Sequence, residues 1–535
     1  IVVGLAITVA IGQSFELSVF ALNILVATGL AVGIDYSLFI VSRYREERHS
    51  GLDKMAAIAA ASATASNAVF FSGMTVVLSL VGMLIVPLSI FASLGIGAMS
   101  AVFAAVAAAL TLLPAMLALL GDKVDALRVP WLDRYARRHS EHGWWGRTAR
   151  RVMRRPAVSL ALGAALLLAI VAPALAMVSG GFSADQFPPD YMSKRGLDML
   201  EQDFAAGMSE PTNVVVEGDL SSEKVQVALE SFVDRLDEDG RFTVTGFSTG
   251  ADGGLAVIQL VQDADAMSEK AKARVHDLRE TLVPESFAGS GAEVYVGGTT
   301  AAQIDSVDLT DGSMPIVIAV VLSLSFVLLL LAFRSVVVAA TAIVMNLLSV
   351  GAAYGALTLV FQFGWGAEVI GLTRVESIES WVPLLMFCVL FGLSMDYQVF
   401  LLSRIRERWY ETGDSRESVV FGVQSTAGII TGAALIMVAV FLGMGSGQLV
   451  VLQELGFGLA IAVLLDAFVV RVIVAPAMIA LIGERYWWMP RWLEWLPRID
   501  IEGRTKAPQA PGQERVAAGA AKPFAGTYAD AGGGI

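Results

Sequence analysis

Two aspartates in this chain stand inside apolar, helix-length segments, each followed at once by a tyrosine: Gly33-Ile34-Asp35-Tyr36 and Ser394-Met395-Asp396-Tyr397. A carboxyl in hydrocarbon costs roughly 2.5 to 3.5 kcal/mol on insertion scales, so its presence there points to the passage of a proton or an ion. A carboxyl that takes up and gives back a proton, beside a phenol that can donate to its charged form, is the minimal equipment of a proton relay. Adjacent helical residues point about 100° apart, so Asp35 cannot easily use Tyr36, and pairing must cross between helices. The residues assigned to the relay are Asp35, Tyr36, Asp396 and Tyr397.

The elements that carry these pairs are repeated. From Asp35 to Glu46 and from Asp396 to Glu407, seven of twelve positions are identical, including Phe39/Phe400, Arg43/Arg404 and Glu46/Glu407. A second echo, Pro114-Ala115-Met116 against Pro476-Ala477-Met478, keeps nearly the same spacing, as a duplicated membrane bundle would. Each aspartate lies eight residues before a basic anchor, Arg43 or Arg404, about 12 Å along a helix and so close to mid-membrane. Phe39 and Phe400 fall on the same helical face as their aspartates and read as a hydrophobic plug beneath the relay or as ordinary packing.

Composition agrees with a membrane bundle: 56% hydrophobic, 16% charged and a mean hydropathy of +0.66. Stretches near the roughly 20 residues that cross a bilayer recur at 17–42, 65–86, 90–120, 157–178, 315–333, 336–360, 381–404, 425–444 and 450–482. Ile1 to Ile11 reads as the tail of a further helix, which predicts an amino-terminally truncated fragment. Basic residues after the first and seventh stretches, and ten more from 122 to 156, predict that those connections are cytoplasmic. Segments 180–312 and 361–380 then fall outside, and the carboxy terminus inside.

Segment 180–312 is a different material, with about 25 acidic against 9 basic residues. Its periodicity predicts strand 212–217, helix 222–236, strand 241–247, strand 255–261, helix 267–282 and strand 293–296, a βαββαβ ferredoxin-like unit.

The stretch Gly392-Leu393-Ser394-Met395-Asp396-Tyr397 through Arg404, with Gly33-Ile34-Asp35-Tyr36, Val296-Gly297-Gly298-Thr299 and Leu465-Asp466-Ala467 before Arg471 and Pro476, resembles the signature of the mycobacterial membrane protein large family. That family is a lipid-exporting branch of the resistance-nodulation-division (RND) superfamily. Trp487-Trp488-Met489-Pro490-Arg491-Trp492 is similar to the membrane-exit segment of its trehalose-monomycolate exporter branch. The resemblance covers roughly residues 1 to 495. It implies twelve transmembrane helices in two pseudo-repeated halves, of which this chain would begin within the third and complete the fourth to twelfth. It also implies the crossed pairs Asp35 with Tyr397 and Asp396 with Tyr36.

The fold expected is therefore a polytopic α-helical membrane protein, an RND-type pseudo-repeated bundle with one α+β ferredoxin-like extracytoplasmic porter domain. Its parts are 1–121, a first-half bundle; 122–156, a basic linker; 157–179, a helix; 180–312, the porter domain; 313–484, the second-half bundle; and 485–535, an interfacial segment and tail. Residues 44–60 read as a short surface helix, and Trp487, Trp488, Trp492 and Trp495 as an interfacial belt. Asp466 and Arg471, five residues and about 140° apart on an α-helix, are not expected to pair directly. They divide between a structural ion-pair network and a role near proton transfer. Their counterparts around Ala104 to Ala109 carry no acid. Ser72, Asn67, Asn346 and Thr426 could line the relay or bond locally.

Enzyme signatures fare poorly. Gly246-Phe247-Ser248-Thr249-Gly250 fits G-x-S-x-G, but a nucleophile elbow needs a helix after the serine, and a strand is predicted there. No phosphate-binding loop occurs, the four histidines are scattered, and Cys388 is the only cysteine. No cofactor, metal or nucleic acid is expected. The function expected is a secondary active transporter of the inner (plasma) membrane that exports a lipid or other hydrophobic substrate, mycolate-type glycolipid being favoured. Protons drive it. Multidrug efflux, a Patched-like lipid or sterol sensor and a protein-translocation accessory are the competing readings. Membrane lipids and accessory envelope proteins are the further partners considered, and the sequence does not choose between monomer and trimer.

Overall fold

The computed structural model describes residues 1–125, 144–181, 187, 191–203, 210–493 and 495–496. The basic stretch 126–143, with His139 and His142, and the tail 501–535 lie outside the described residues. Among those described, nine helices are long and apolar enough to cross a membrane: Phe20–His49, Lys54–Ile85, Ser89–Leu120, Pro156–Ala176, Thr299–Phe333, Val336–Gln362, Trp381–Thr412, Ser415–Gly445 and Val450–Trp487, here the first to ninth spans. Even the shortest, at 21 residues, reaches about 30 Å, the thickness of a hydrocarbon core. A shorter apolar helix, Val2–Gly12, precedes them. The chain is a multi-pass helical membrane protein.

The duplication extends to the turns between spans. Asp53 caps the second span by accepting from the Ala56 N–H at 3.1 Å, and Asp414 caps the eighth by accepting from Arg416 and Glu417 at 2.7 and 3.2 Å. Both caps satisfy amide donors that a helix start leaves unpaired. The surface helix expected over 44–60 does not form as a separate element. Its first part completes the first span as far as His49, and its second opens the next span from Lys54. Ion pairs from Arg43 to Glu46 and Glu47, one turn ahead, favour that continuation.

The seventh span forms the centre of the bundle. In its most apolar stretch 88% is buried inside the protein, against 11% for the fourth span. Gly392 allows it to approach the second span closely, since a Cβ there would lie 2.6 Å from Ser79 Oγ and 2.9 Å from Val76 Cα. Segments from the two copies of the repeat are thereby packed directly together.

Outside the bundle, β1 (Ser179–Gly180) pairs in parallel with β6 (Ile378–Glu379), the residues that lead into the seventh span. Between them lies a four-stranded antiparallel sheet of β2 (Thr212–Glu217), β3 (Phe242–Thr249), β4 (Leu255–Gln262) and β5 (Glu293–Gly297), in the order β3-β4-β2-β5. With helices Glu223–Asp239 and Glu269–Asp277 as crossovers, this is the βαββαβ arrangement of a ferredoxin-like unit. Alternate residues of β2, Val214 and Val216, join Phe232 and Leu236 in its core. Ser248 lies in β3 opposite Val257 of β4, so no strand-to-helix elbow forms around it.

Candidate functional site

Asp35 is a partly buried residue of the first span, and its carboxyl lies within hydrogen-bonding reach of the Tyr397 hydroxyl on the seventh. This contact crosses from one copy of the repeat to the other. The Tyr397 hydroxyl also lies 3.6 Å from Met437 Sδ on the eighth span. Above the Tyr397 ring stands the guanidinium of Arg471, its Cζ 4.7 Å from the ring centroid, a cation–π contact in a desolvated setting. The same guanidinium is close enough for its charge to act on Asp35.

Arg471 is held from several sides. Its Nε and Nη2 donate to Asp466 Oδ2 at 2.9 and 2.7 Å, and Nη2 also donates to the Ser394 carbonyl and to Ser394 Oγ, the latter at 3.2 Å. The direct ion pair corrects the sequence expectation. Residues Asp466–Val474 form a π-helix, whose i→i+5 hydrogen bonds bring positions five apart onto one face, where an α-helix would separate them. Both side chains are buried, Asp466 7% and Arg471 4% exposed, so each needs the other.

Ser394 Oγ then donates to Asn346 Oδ1 of the sixth span at 2.7 Å. Asn346 Nδ2 and Asp466 Oδ1 have no hydrogen-bond partner among the described residues, and both residues line a cavity of about 20 Å³ together with Tyr397 and Ser394. One water needs roughly 10–15 Å³ measured this way, so the space suits a single water between that donor and that acceptor. Asn346 and Ser394 are functional candidates that sequence reasoning underrated. The available signal was the difference between copies, because the position of Ser394 is held by Gly33 in the first.

The other tyrosine meets the second span. Tyr36 is buried, and its hydroxyl accepts from Ser72 Oγ of the second span at 3.1 Å. Asp396 lies in the helix of the seventh span, and the expected Asp396–Tyr36 pair falls on a side chain outside the described residues. Phe39 and Phe400 meet edge to face, centroids 4.7 Å apart at 83°, one turn beyond the aspartates. Thr426 bonds within its own helix, to the Gly422 carbonyl at 2.7 Å. Chemically, the assembly places one carboxylate, one phenol and one fixed cation in a row at mid-bundle, with apolar rings closing the next turn.

A solved structure of SecDF, a translocon-associated membrane protein from Thermus thermophilus, aligns with 85% of this chain and 54% of its own at a TM-score of 0.50 and 15% identity, a likeness of fold. Among curated relatives, the mycolic acid-containing lipids exporter MmpL11 of Mycolicibacterium smegmatis is 38% identical over 94% of this chain and 53% of its own length. The heme uptake protein MmpL11 of Mycobacterium tuberculosis is 37% identical over 94% and 52%. The trehalose monomycolate exporter MmpL3 of Mycolicibacterium smegmatis is 30% identical over 95% and 54%. The chain spans about half the length of these relatives. The model of the MMPL family matches residues 1–182 and 185–499, nearly all of the described bundle, and the chain belongs to that family.

Proposed function

We propose that this protein exports lipid across the inner (plasma) membrane toward the cell envelope, with mycolate-type glycolipid as the favoured cargo and the proton motive force as the energy source. The observation that carries the reading is the approach of Asp35 to the Tyr397 hydroxyl, made across the two copies of the repeat beneath Arg471. Protonation of Asp35 would remove the negative charge that Tyr397 and Arg471 face and loosen the first span from the seventh. Loss of the proton would restore the contact. The seventh span continues through β6 into the pairing with β1, at the root of the ferredoxin-like unit, so a shift at mid-bundle has a short path to that unit. One proton crossing the membrane releases roughly 2.3 kcal/mol per 100 mV, and Asp35 with Asp396 would supply two loading sites.

In this reading the basic ends of the spans and the carboxy terminus are cytoplasmic, and the ferredoxin-like unit is an extracytoplasmic porter domain. Mycolate lipids are the cargo named for two of the relatives. Haem is the second cargo to try, because a relative of 37% identity is a heme uptake protein. The test is cargo movement in proteoliposomes under an imposed proton gradient. Movement of mycolate glycolipid that is lost in Asp35→Asn supports the proposal. Equal movement with and without the gradient would refute it.

A further inference from the structure

The helix Trp144–Arg154 lies just ahead of the fourth span and divides sharply into two faces. Gly146, Ala149, Val152 and Met153 are buried. They pack into the bundle beside Trp145, whose ring stands 5.7 Å from that of Phe468 on the ninth span, and a Cβ at Gly146 would lie 2.4 Å from Gln424 Nε2 on the eighth. The apolar face is therefore already occupied. Arg147, Arg150, Arg151 and Arg154, at i, i+3, i+4 and i+7, form the opposite face, with Arg155 next to it, and all five are exposed.

Among the described residues this face lacks counter-charge. No acidic residue occurs from Trp144 to Arg155, and none of the five arginines makes an ion pair or hydrogen bond among the described residues. Like charges one turn apart repel. At other helix ends the arginines are compensated: Arg404 by Glu407 at 2.9 Å, and Arg408 by Glu411 at 3.1 Å and Glu417 at 2.6 Å. The backbone turns at Arg155 (φ −138°, ψ 67°), and Pro156 starts the fourth span, whose Val158 and Leu162 are 52% and 67% exposed toward the hydrocarbon. A cationic face unpaired among the described residues, ending where an exposed apolar wall begins, would lie at headgroup depth.

We propose that the arginine face of this helix is a binding site for anionic phospholipid, taking the headgroup phosphates of the adjoining leaflet. Arginine suits this ligand through its bidentate fork, and each cation near an anionic bilayer surface strengthens attraction by about fivefold. Proximity to the hydrocarbon favours lipid over nucleic acid or an acidic protein. The bound lipids would pin the helix to the membrane plane while its other face grips the eighth and ninth spans.

The test is native mass spectrometry of the full chain released from bilayers of phosphatidylglycerol mixed with phosphatidylcholine. R150Q/R151Q/R154Q is expected to retain at least about tenfold less phosphatidylglycerol than wild type, with an unchanged thermal unfolding midpoint. R150K/R151K/R154K, which keeps the charge, is expected to retain most of it. Equal retention in wild type and the glutamine variant would overturn the proposal, as would a lysine variant that loses as much as the glutamine one. Displacement of the lipid from wild type by equimolar short RNA would assign the face to a different class of partner and overturn it too.

Discussion

Tyr36 and Tyr397 hold matching positions in the two copies of the repeat, yet one is bonded by a serine hydroxyl at 3.1 Å and the other lies under a buried guanidinium at 4.7 Å, within reach of Asp35. The cause is local. Asp466 and Arg471 supply the second copy with an ion pair, and the positions that match them in the first, Ala104 and Ala109, are alanines. Duplication thus preserved the backbone frame, including the caps at Asp53 and Asp414, while the electrostatics diverged. Under the proposed relay, an ion pair present in only one copy of a repeated scaffold would give that copy a field of its own.

Breaking the side with the cation should have the largest effect. Arg471→Met leaves Asp466 buried without its partner and is expected to cost about 3–5 kcal/mol of stability, read by thermal unfolding in detergent. Adding Asp466→Leu should recover much of that loss, which separates the structural cost from any effect on transport. Tyr397→Phe removes the hydroxyl that reaches Asp35; a hydrogen bond to a charged group contributes about 1.5–3 kcal/mol, so transport should slow roughly ten- to hundredfold. Tyr36→Phe should cost less, and equal losses would show that Asp396 depends on Tyr36 as strongly as Asp35 depends on Tyr397.

Phe400→Ala opens the edge-to-face contact with Phe39, worth about 0.5–1.5 kcal/mol beyond area burial, and is expected to raise proton leak in vesicles that contain no cargo. An unchanged leak would make the two rings ordinary packing. Ser72→Ala is the mildest change. Interhelical polar bonds in membranes average about 0.6 kcal/mol, so a two- to threefold slowing of transport is expected.

Most of the bundle was legible because its signal is long and one-dimensional: nine apolar runs, two matched Asp-Tyr motifs and a nearly constant spacing between the repeated segments. The sheet was legible as well, since alternation along 212–217 and 255–261 and the interleaved helical periods define one strand order. Other features depend on geometry that residue spacing does not report. Asp466 and Arg471 meet only because the helix between them is a π-helix, so angles reckoned at 100° per residue place them apart. The pairing of β1 with β6 involves two residues on each side, too few for any alternation to show. Helix 144–154 reads in sequence as part of a basic linker, and its buried face becomes visible only where it meets the eighth and ninth spans.

The central claim is that Asp35 carries protons for transport, and its most direct test is proton uptake recorded with a pH-sensitive dye inside proteoliposomes as cargo is added. Wild type should take up protons in step with cargo movement, and Asp35→Asn should abolish both while its unfolding midpoint stays near that of wild type. Cargo moving at the wild-type rate in Asp35→Asn, with no proton uptake, would contradict the account.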